Sequence, residues 1–470
     1  MTTATLRGTA RPGLAGGTDA PAAAVIPRLT EGVELLGEYQ GSGYTQPPSL
    51  IRRPDGQVIQ MSRLLYLTAA AIDGTRDPAA IAELVSDDLS RELSADQARY
   101  LIDARLTPLG IIAGPAAPAA PPQASPLLAL RARATLLPER AANAAGLLLR
   151  PLFRWPVIAA VAACVAGTDY WLFFVHGLGG GVHQVLANPA SLLIILALSL
   201  LSAAFHECGH AAACRYGGAR PGRIGVGLYL VWPSFFTNVT DSYRLSRAGR
   251  LRTDLGGLYF NLIFMLALAG LYTATRAQIL LLVIALTHLE MLEQLLPFVR
   301  FDGYFILSDL TGVPDLFARV RPILASVLPR HRHDPRVTGL RRHARIAVTS
   351  WVLCVIPLLA ATLGYMLARL PSISRALWHA ASLPGRHAAT AAGAQHYATA
   401  ALDVVAAALA ALTLAGSLYV MTSLARHAAI TGLRWSAGRP RRRILAGAAA
   451  LGALAALAVL WEAGSQFRGW

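Results

Sequence analysis

Lysine is absent from this chain: all 42 basic residues are arginines, set against 26 acidic ones. Charge of either sign is scarce, 14% of 470 residues, where soluble globular domains carry roughly a quarter. That deficit, with 54% hydrophobic residues and a mean hydropathy of +0.47, argues against an ordinary soluble enzyme and for a polytopic membrane protein. Cysteine is also rare. The four present, Cys164, Cys208, Cys214 and Cys354, lie in or beside apolar segments without paired spacing, so neither a disulfide scaffold nor a cysteine zinc cluster is expected. The first residues lack the apolar core of a secretory signal peptide and read as a flexible tail, residues 1–25. A formal net charge of +16 would suggest nucleic acid in a soluble protein. Here the arginines crowd between apolar segments, so cytoplasmic membrane loops explain them and no nucleic-acid partner is expected.

What is present divides into a small soluble region and a membrane region. Residues 26–113 carry a hairpin signal, Ser49–Arg53 and Gln57–Met61 about Pro54-Asp55-Gly56. Helix starts follow at Ser62, at Asp77-Pro78, and at Ser94-Ala95-Asp96-Gln97, which has the form of a capping box. Two short strands and three small helices predict a winged-helix-like α/β module. It resembles the peptide-recognition domains of ribosomal-peptide maturation systems. Residues 114–150 read as a Pro/Ala-rich linker and juxtamembrane segment. Apolar runs then predict about seven transmembrane helices, near 157–175, 190–215, 255–273, 279–296, 346–368, 402–421 and 444–461. Residues 151–343 form the expected core and 344–470 additional C-terminal spans. Arginines concentrate before the first span and after the second, fourth and sixth, while 176–188 has none. This pattern predicts a multi-pass protein of the cell membrane with a cytoplasmic N-terminal domain, and residues 369–401 as an external loop.

The chemistry centres on His206-Glu207-Cys208-Gly209-His210, which closes the second apolar run. On a helix, histidines four residues apart share a face and can share one zinc ion, with the intervening glutamate as general base. Ionisable groups are costly inside a membrane helix, and their default reading is functional. A catalytic zinc takes three protein ligands and keeps an open position. Asp302 is the candidate third ligand, because it follows the fourth span on the side where the His pair lies. Asp241 is a spare candidate for that place. Glu293 shares a helical face with Pro297 and fits either a role beside the site or a side chain reaching for the interface. Asp169 and Asp403 are read as helix-packing residues, and Cys208 as a small apolar filler.

These motifs resemble the site-2 protease family of intramembrane zinc metallopeptidases, in a divergent bacterial branch described as peptide zinc metalloproteases. The family carries H-E-x-x-H on one membrane helix and N-x-x-P-x-x-x-x-D-G on another. Pro297, Asp302 and Gly303 match the second motif, with Gln294 in place of its asparagine. A G-P-x-x-N segment between them is similar to Gly257–Asn261, with Leu258 replacing proline. The resemblance covers about residues 190–308. It implies a site-2-protease-like core, one Zn2+ per chain held by His206, His210 and Asp302, and Glu207 as the catalytic base. Gln294, Asn261 and Glu293 are the candidate substrate-binding or supporting residues. The implied activity is hydrolysis of peptide bonds in a membrane-associated protein or peptide precursor, possible partners being a ribosomal precursor peptide and an exporter. An extended substrate would pair with an exposed strand edge, for which Gly225–Val231 is the candidate. The alternative is a non-proteolytic zinc-binding membrane protein serving peptide binding or transport, favoured by Gln294 and Leu258.

Overall fold

The computed structural model describes residues 26–113, 131–188, 191–229, 232–326, 334–393 and 397–466. The expected tail and the proline-rich stretch 114–122 lie outside the described residues. The chain is mostly helical, with a small sheet region near its N-terminus.

That region opens with β1 (Glu34–Glu38), β2 (Ser49–Arg52) and β3 (Val58–Met61), antiparallel in the order β1-β2-β3. The expected hairpin is present, closed by Gly56 at φ +80°. Helices α1 (Arg63–Ala70), α2 (Pro78–Leu89) and α3 (Ala95–Leu101) start where their caps predict. Ser62, Asp77 and Ser94 each accept a first-turn amide, and Ser94 with Gln97 completes the capping box. Ile51, Met61, Ile81, Val85 and Leu106 form the core beneath them. The strand β1 was not expected. Its sequence, Glu-Leu-Leu-Gly-Glu, has no β-branched residue and is held by pairing with β2.

A second sheet has the order β4-β5-β6, from β4 (Arg131–Leu137), β5 (Ile224–Tyr229) and β6 (Trp232–Thr237). Residues 131–149, read as linker and juxtamembrane chain, thus contribute a strand and the helix α4 (Glu139–Leu149). The candidate docking strand forms at 224–229, but both its edges are occupied. Among the described residues β4 and β6 are the edge strands of this sheet, and β6 lies beside α7.

The membrane region follows as α5 (Trp155–Tyr170), α6 (Gly179–Ala187) and α7 (Leu192–Tyr216). After the sheet come α8 (Arg247–Asp254), α9 (Gly256–Thr275), α10 (Gln278–Leu295), α11 (Asp302–Thr311), α12 (Phe317–Ser326) and α13 (Pro335–Thr338). The C-terminal part is α14 (Arg342–Gly393), α15 (Tyr397–Ser436) and α16 (Pro440–Gln466). Six helices among the described residues are long and apolar enough to cross a membrane: 155–176, 192–216, 256–275, 278–295, 342–379 and 399–436. The seventh expected span falls in α16, which is not among them. The expected external loop at 369–401 is helical through Gly393.

Two close approaches set the position of the site. A Cβ on Gly209 would meet the Gly256 carbonyl oxygen at 2.2 Å, so glycine lets α7 and α9 touch backbone to backbone. A Cβ on Gly303 would meet the Leu295 carbonyl oxygen at 2.0 Å, so α11 tucks under the end of α10. Gly303 has no left-handed φ, so what it supplies is space. Trp351 of α14 pins the connecting loop, its Nε1 donating to the Pro297 carbonyl at 2.8 Å.

Candidate metal centre

The His pair lies in the second half of α7, on the face that meets α9, and His206, Glu207 and His210 are all buried. Asp302 arrives from the first position of α11. The two Nε2 atoms stand 3.0 Å apart, and Asp302 places carboxylate oxygens 3.0 Å from His206 Nε2 and 3.5 Å from His210 Nε2. One donor atom from each of the three residues falls within 4.8 Å of the others.

Whether this set fits a metal can be judged from its hydrogen bonds. His210 Nδ1 lies 2.8 Å from the Thr253 carbonyl oxygen. A carbonyl only accepts, so Nδ1 carries a proton and Nε2 is the nitrogen turned into the cluster. Asp302 brings its carboxylate to the same point, largely buried between the two Nε2 atoms. Two imidazole Nε2 atoms and a carboxylate converge at one point, and Asp302 Oδ2 and His206 Nδ1 are buried with no hydrogen-bond partner among the described residues. Such a donor set suits zinc, and its three members leave a position open. The cradle is also shaped for it: a Cβ on Gly257 of α9 would strike His206 Nε2 at 2.2 Å.

Glu207 has a fixed partner. Thr237 at the end of β6 donates to Glu207 Oε2 at 2.6 Å and also lies 3.0 Å from the Glu207 carbonyl oxygen. The open strand and the acid/base candidate therefore share a residue. On the far side, Asn261 of α9 is buried, with its Nδ2 3.4 Å from Gln294 Oε1 and its Oδ1 3.5 Å from Ser202 Oγ.

Other candidates are placed elsewhere. Glu293 is exposed on α10, and its carboxylate makes no hydrogen bond or ion pair among the described residues. Glu290, one helical turn earlier and half-buried beside Ser199 of α7, is the acidic residue of α10 that faces inward. Asp241 is taken up by Arg52 at 2.7 Å and by the Arg220 amide at 2.8 Å, so it is not a third ligand. Asp169 pairs with His288 across α5 and α10 at 3.2 Å, in keeping with a packing role.

Below α8 lies a polar cluster that sequence reading did not find. Arg250, 1% exposed, donates through Nε to Asp309 Oδ1 at 2.8 Å and through NH2 to the Gln40 carbonyl at 3.0 Å. Its guanidinium also sits 4.3 Å from the centre of the Tyr39 ring, whose hydroxyl donates to Asp309 Oδ1 at 2.9 Å. Asp254, at the end of α8, has a buried Oδ2 with no hydrogen-bond partner among the described residues. Burial first, and then the adjacent Asp309 carboxylate, push the Asp254 carboxyl well above its usual range.

Comparison with known proteins finds similarity to "Putative peptide zinc metalloprotease protein YydH" of Bacillus subtilis (strain 168). Identity is 29% over 141 residues, which is 29% of this chain and 56% of that protein. The chain thus spans about half the length of that relative. No family model and no solved structure matches. The match supports a zinc-metalloprotease-like relationship.

Proposed function

We propose that the protein is an intramembrane zinc metalloendopeptidase, a divergent relative of the site-2 protease family. It would cleave a membrane-associated protein or peptide precursor near the cytoplasmic face of the cell membrane. The observation that carries this reading is the convergence of His206, His210 and Asp302, with Glu207 on the adjoining turn of the same membrane helix.

His206, His210 and Asp302 would hold one zinc ion. When bound, zinc supplies Lewis acidity that activates water and polarises the scissile carbonyl. Glu207 takes the proton from the attacking water and returns it to the departing amine. Thr237 holds the Glu207 carboxylate in one rotamer while it does so. The open edge of β6 accepts an extended peptide by backbone pairing, which satisfies the substrate's polar groups away from bulk water. That edge ends at Thr237, so a paired strand is led towards Glu207. Gln294, next to Asn261, is assigned to the substrate or its developing oxyanion. The arginine distribution supports a cytoplasmic N-terminus. A ribosomally made precursor peptide and an exporter are the proposed partners.

Elemental analysis of detergent-purified protein tests the centre. The wild type should carry about one zinc per chain and Asp302→Ala should lose most of it. Glu207→Gln should keep zinc while cleavage of a membrane-tethered peptide library falls at least ~100-fold. Full cleavage by that variant sinks the mechanism. Gln294 and Leu258 favour a second reading, a zinc-binding peptide-handling protein without proteolysis. Stoichiometric zinc with every peptide left intact would establish it.

A further inference from the structure

The contacts between the N-terminal sheet region and the membrane core concentrate on one short segment, Tyr39-Gln40-Gly41-Ser42-Gly43-Tyr44, between β1 and β2. It is threaded against α8, α11 and the start of α14. Gly43 N donates to the Gly312 carbonyl at 2.9 Å, and Arg341 N donates to the Gly43 carbonyl at 2.7 Å. A Cβ on Gly43 would lie 2.1 Å from the Thr311 carbonyl oxygen, and one on Gly312 would lie 2.2 Å from that of Gly41. Tyr39, fully buried, and the Gln40 carbonyl close over Arg250 and Asp309.

The two residues gripped by this strap stand on the two helices that serve the metal centre. Arg250 is three residues before Thr253 on α8, and Thr253 supplies the carbonyl that fixes the His210 ring. Asp309 is seven residues after Asp302 on α11, two turns along nearly the same face and about 10 Å away. The Arg250–Asp309 pair therefore bolts together two short helices whose other ends carry an oxygen for His210 and an oxygen for the metal. A buried ion pair can fix geometry when its remaining polar groups are satisfied: here the Gln40 and Leu245 carbonyls accept from Arg250, and the Tyr39 hydroxyl donates to Asp309.

We propose that Tyr39–Tyr44 is a positioning strap for the metal centre, acting through Arg250 and Asp309 to set His210 and Asp302. This rests on the metal-site reading above. The strap reaches no substrate or metal itself. Its effect is on the ligand geometry, as outer hydrogen bonds generally tune a metal site. The phenol of Tyr39, raised by burial and then by Asp309, keeps its proton and stays a donor in this arrangement.

The test uses the full chain in detergent with zinc or cobalt as the probe. Three variants are compared: Arg250→Met, Tyr39→Phe, and Arg52→Gln. The last breaks the Arg52–Asp241 contact, which joins the same two regions but lies off the route to the metal. Zinc affinity is read by competition with a chelator, and ligand geometry by the visible absorption of the cobalt form. Arg250→Met should weaken zinc on the order of 10-fold, Tyr39→Phe by less, and both should alter the cobalt spectrum. Arg52→Gln should match the wild type in both. If Arg250→Met fails to fold, Tyr39→Phe decides, since it removes one hydroxyl and keeps the ring. Wild-type affinity and spectrum in Tyr39→Phe, or equal losses in all three variants, overturn the proposal and leave the metal reading standing. A wild type that binds neither metal removes the metal reading itself, and this one with it.

Discussion

Thr237 and Asp254 show how much of a site can rest on residues that no motif contains. Thr237 is attached to Glu207 by a 2.6 Å hydrogen bond, yet it sits thirty residues away on a strand end. Thr237→Val keeps the shape and the β-propensity and removes the hydroxyl. A hydrogen bond to a charged group is worth about 1.5–3 kcal/mol, so cleavage should slow roughly 10-fold or more with zinc content unchanged. Undiminished turnover would show that Glu207 is oriented by something else. Asp254 makes a pH prediction. Its folded carboxyl lies above the ordinary value of 3.8, so the folded chain holds a proton that the unfolded chain releases. That contribution to stability is complete below about 3.8 and is lost as pH rises through the folded value. Asp254→Asn is neutral throughout, so its melting temperature relative to the wild type's should rise as pH climbs from 3.8 towards the folded value. A constant margin over that rise would count against a raised Asp254 carboxyl. The His pair and Glu207 were legible because their spacing is itself the signal, and Asp302 because it follows the fourth span on the side where the pair lies. Thr253 was not, because its contribution is a backbone carbonyl, which any residue type could offer. Glu290 and Glu293 differ by less than one turn of α10, and only packing against α7 selects between them.

At the level of elements, the apolar helices were legible from run length and hydropathy, and the three capped helices from their first residues. Strands β1 and β4 were not. Neither has strong β-propensity, and each is held by a partner: β1 by β2, and β4 by β5 almost ninety residues on. Missing β4 misassigned the open edge of the sheet to β5, since nothing local to β5 shows that both its sides are paired. The α7–α9 contact carries its own prediction. Glycine inside a helix costs about 1 kcal/mol against alanine, so Gly209 and Gly257 are retained for space. Gly257→Ala puts a methyl group where His206 Nε2 stands. The ring must move, and elemental analysis should find most of the zinc gone, with a loss of stability of about 1–3 kcal/mol from overpacking. Gly270, further along α9, has open space around its Cβ position, and Gly270→Ala should leave zinc bound.

For the whole molecule, the question is whether residues 26–113 are a tethered recruiter or a part of the machine. The resemblance to peptide-recognition domains, with a linker behind them, would make them a recruiter, and a recruiter can be removed without touching the chemistry. The packing argues otherwise. The strap covers Arg250 and Asp309 and packs against Thr311 and Gly312 at the end of α11, and Arg319 of α12 donates to the Tyr44 hydroxyl at 2.6 Å. Arg250 and Asp309 are buried, and Tyr39 and Gln40 lie over them. A chain shortened to begin at residue 114 would open that pair to water and release the carboxyl end of α11 from Gly43. Screening then weakens the bolt between α8 and α11, and His210 and Asp302 lose a common reference. The shortened chain should therefore lose zinc affinity as well as cleavage, even of a short unstructured peptide that needs no recruitment. A recruiter would leave zinc and short-peptide cleavage intact and affect only the natural, larger substrate. Chelator competition and a short-peptide assay on the same preparation separate these outcomes, because the first reads the ligand geometry and the second bypasses substrate delivery.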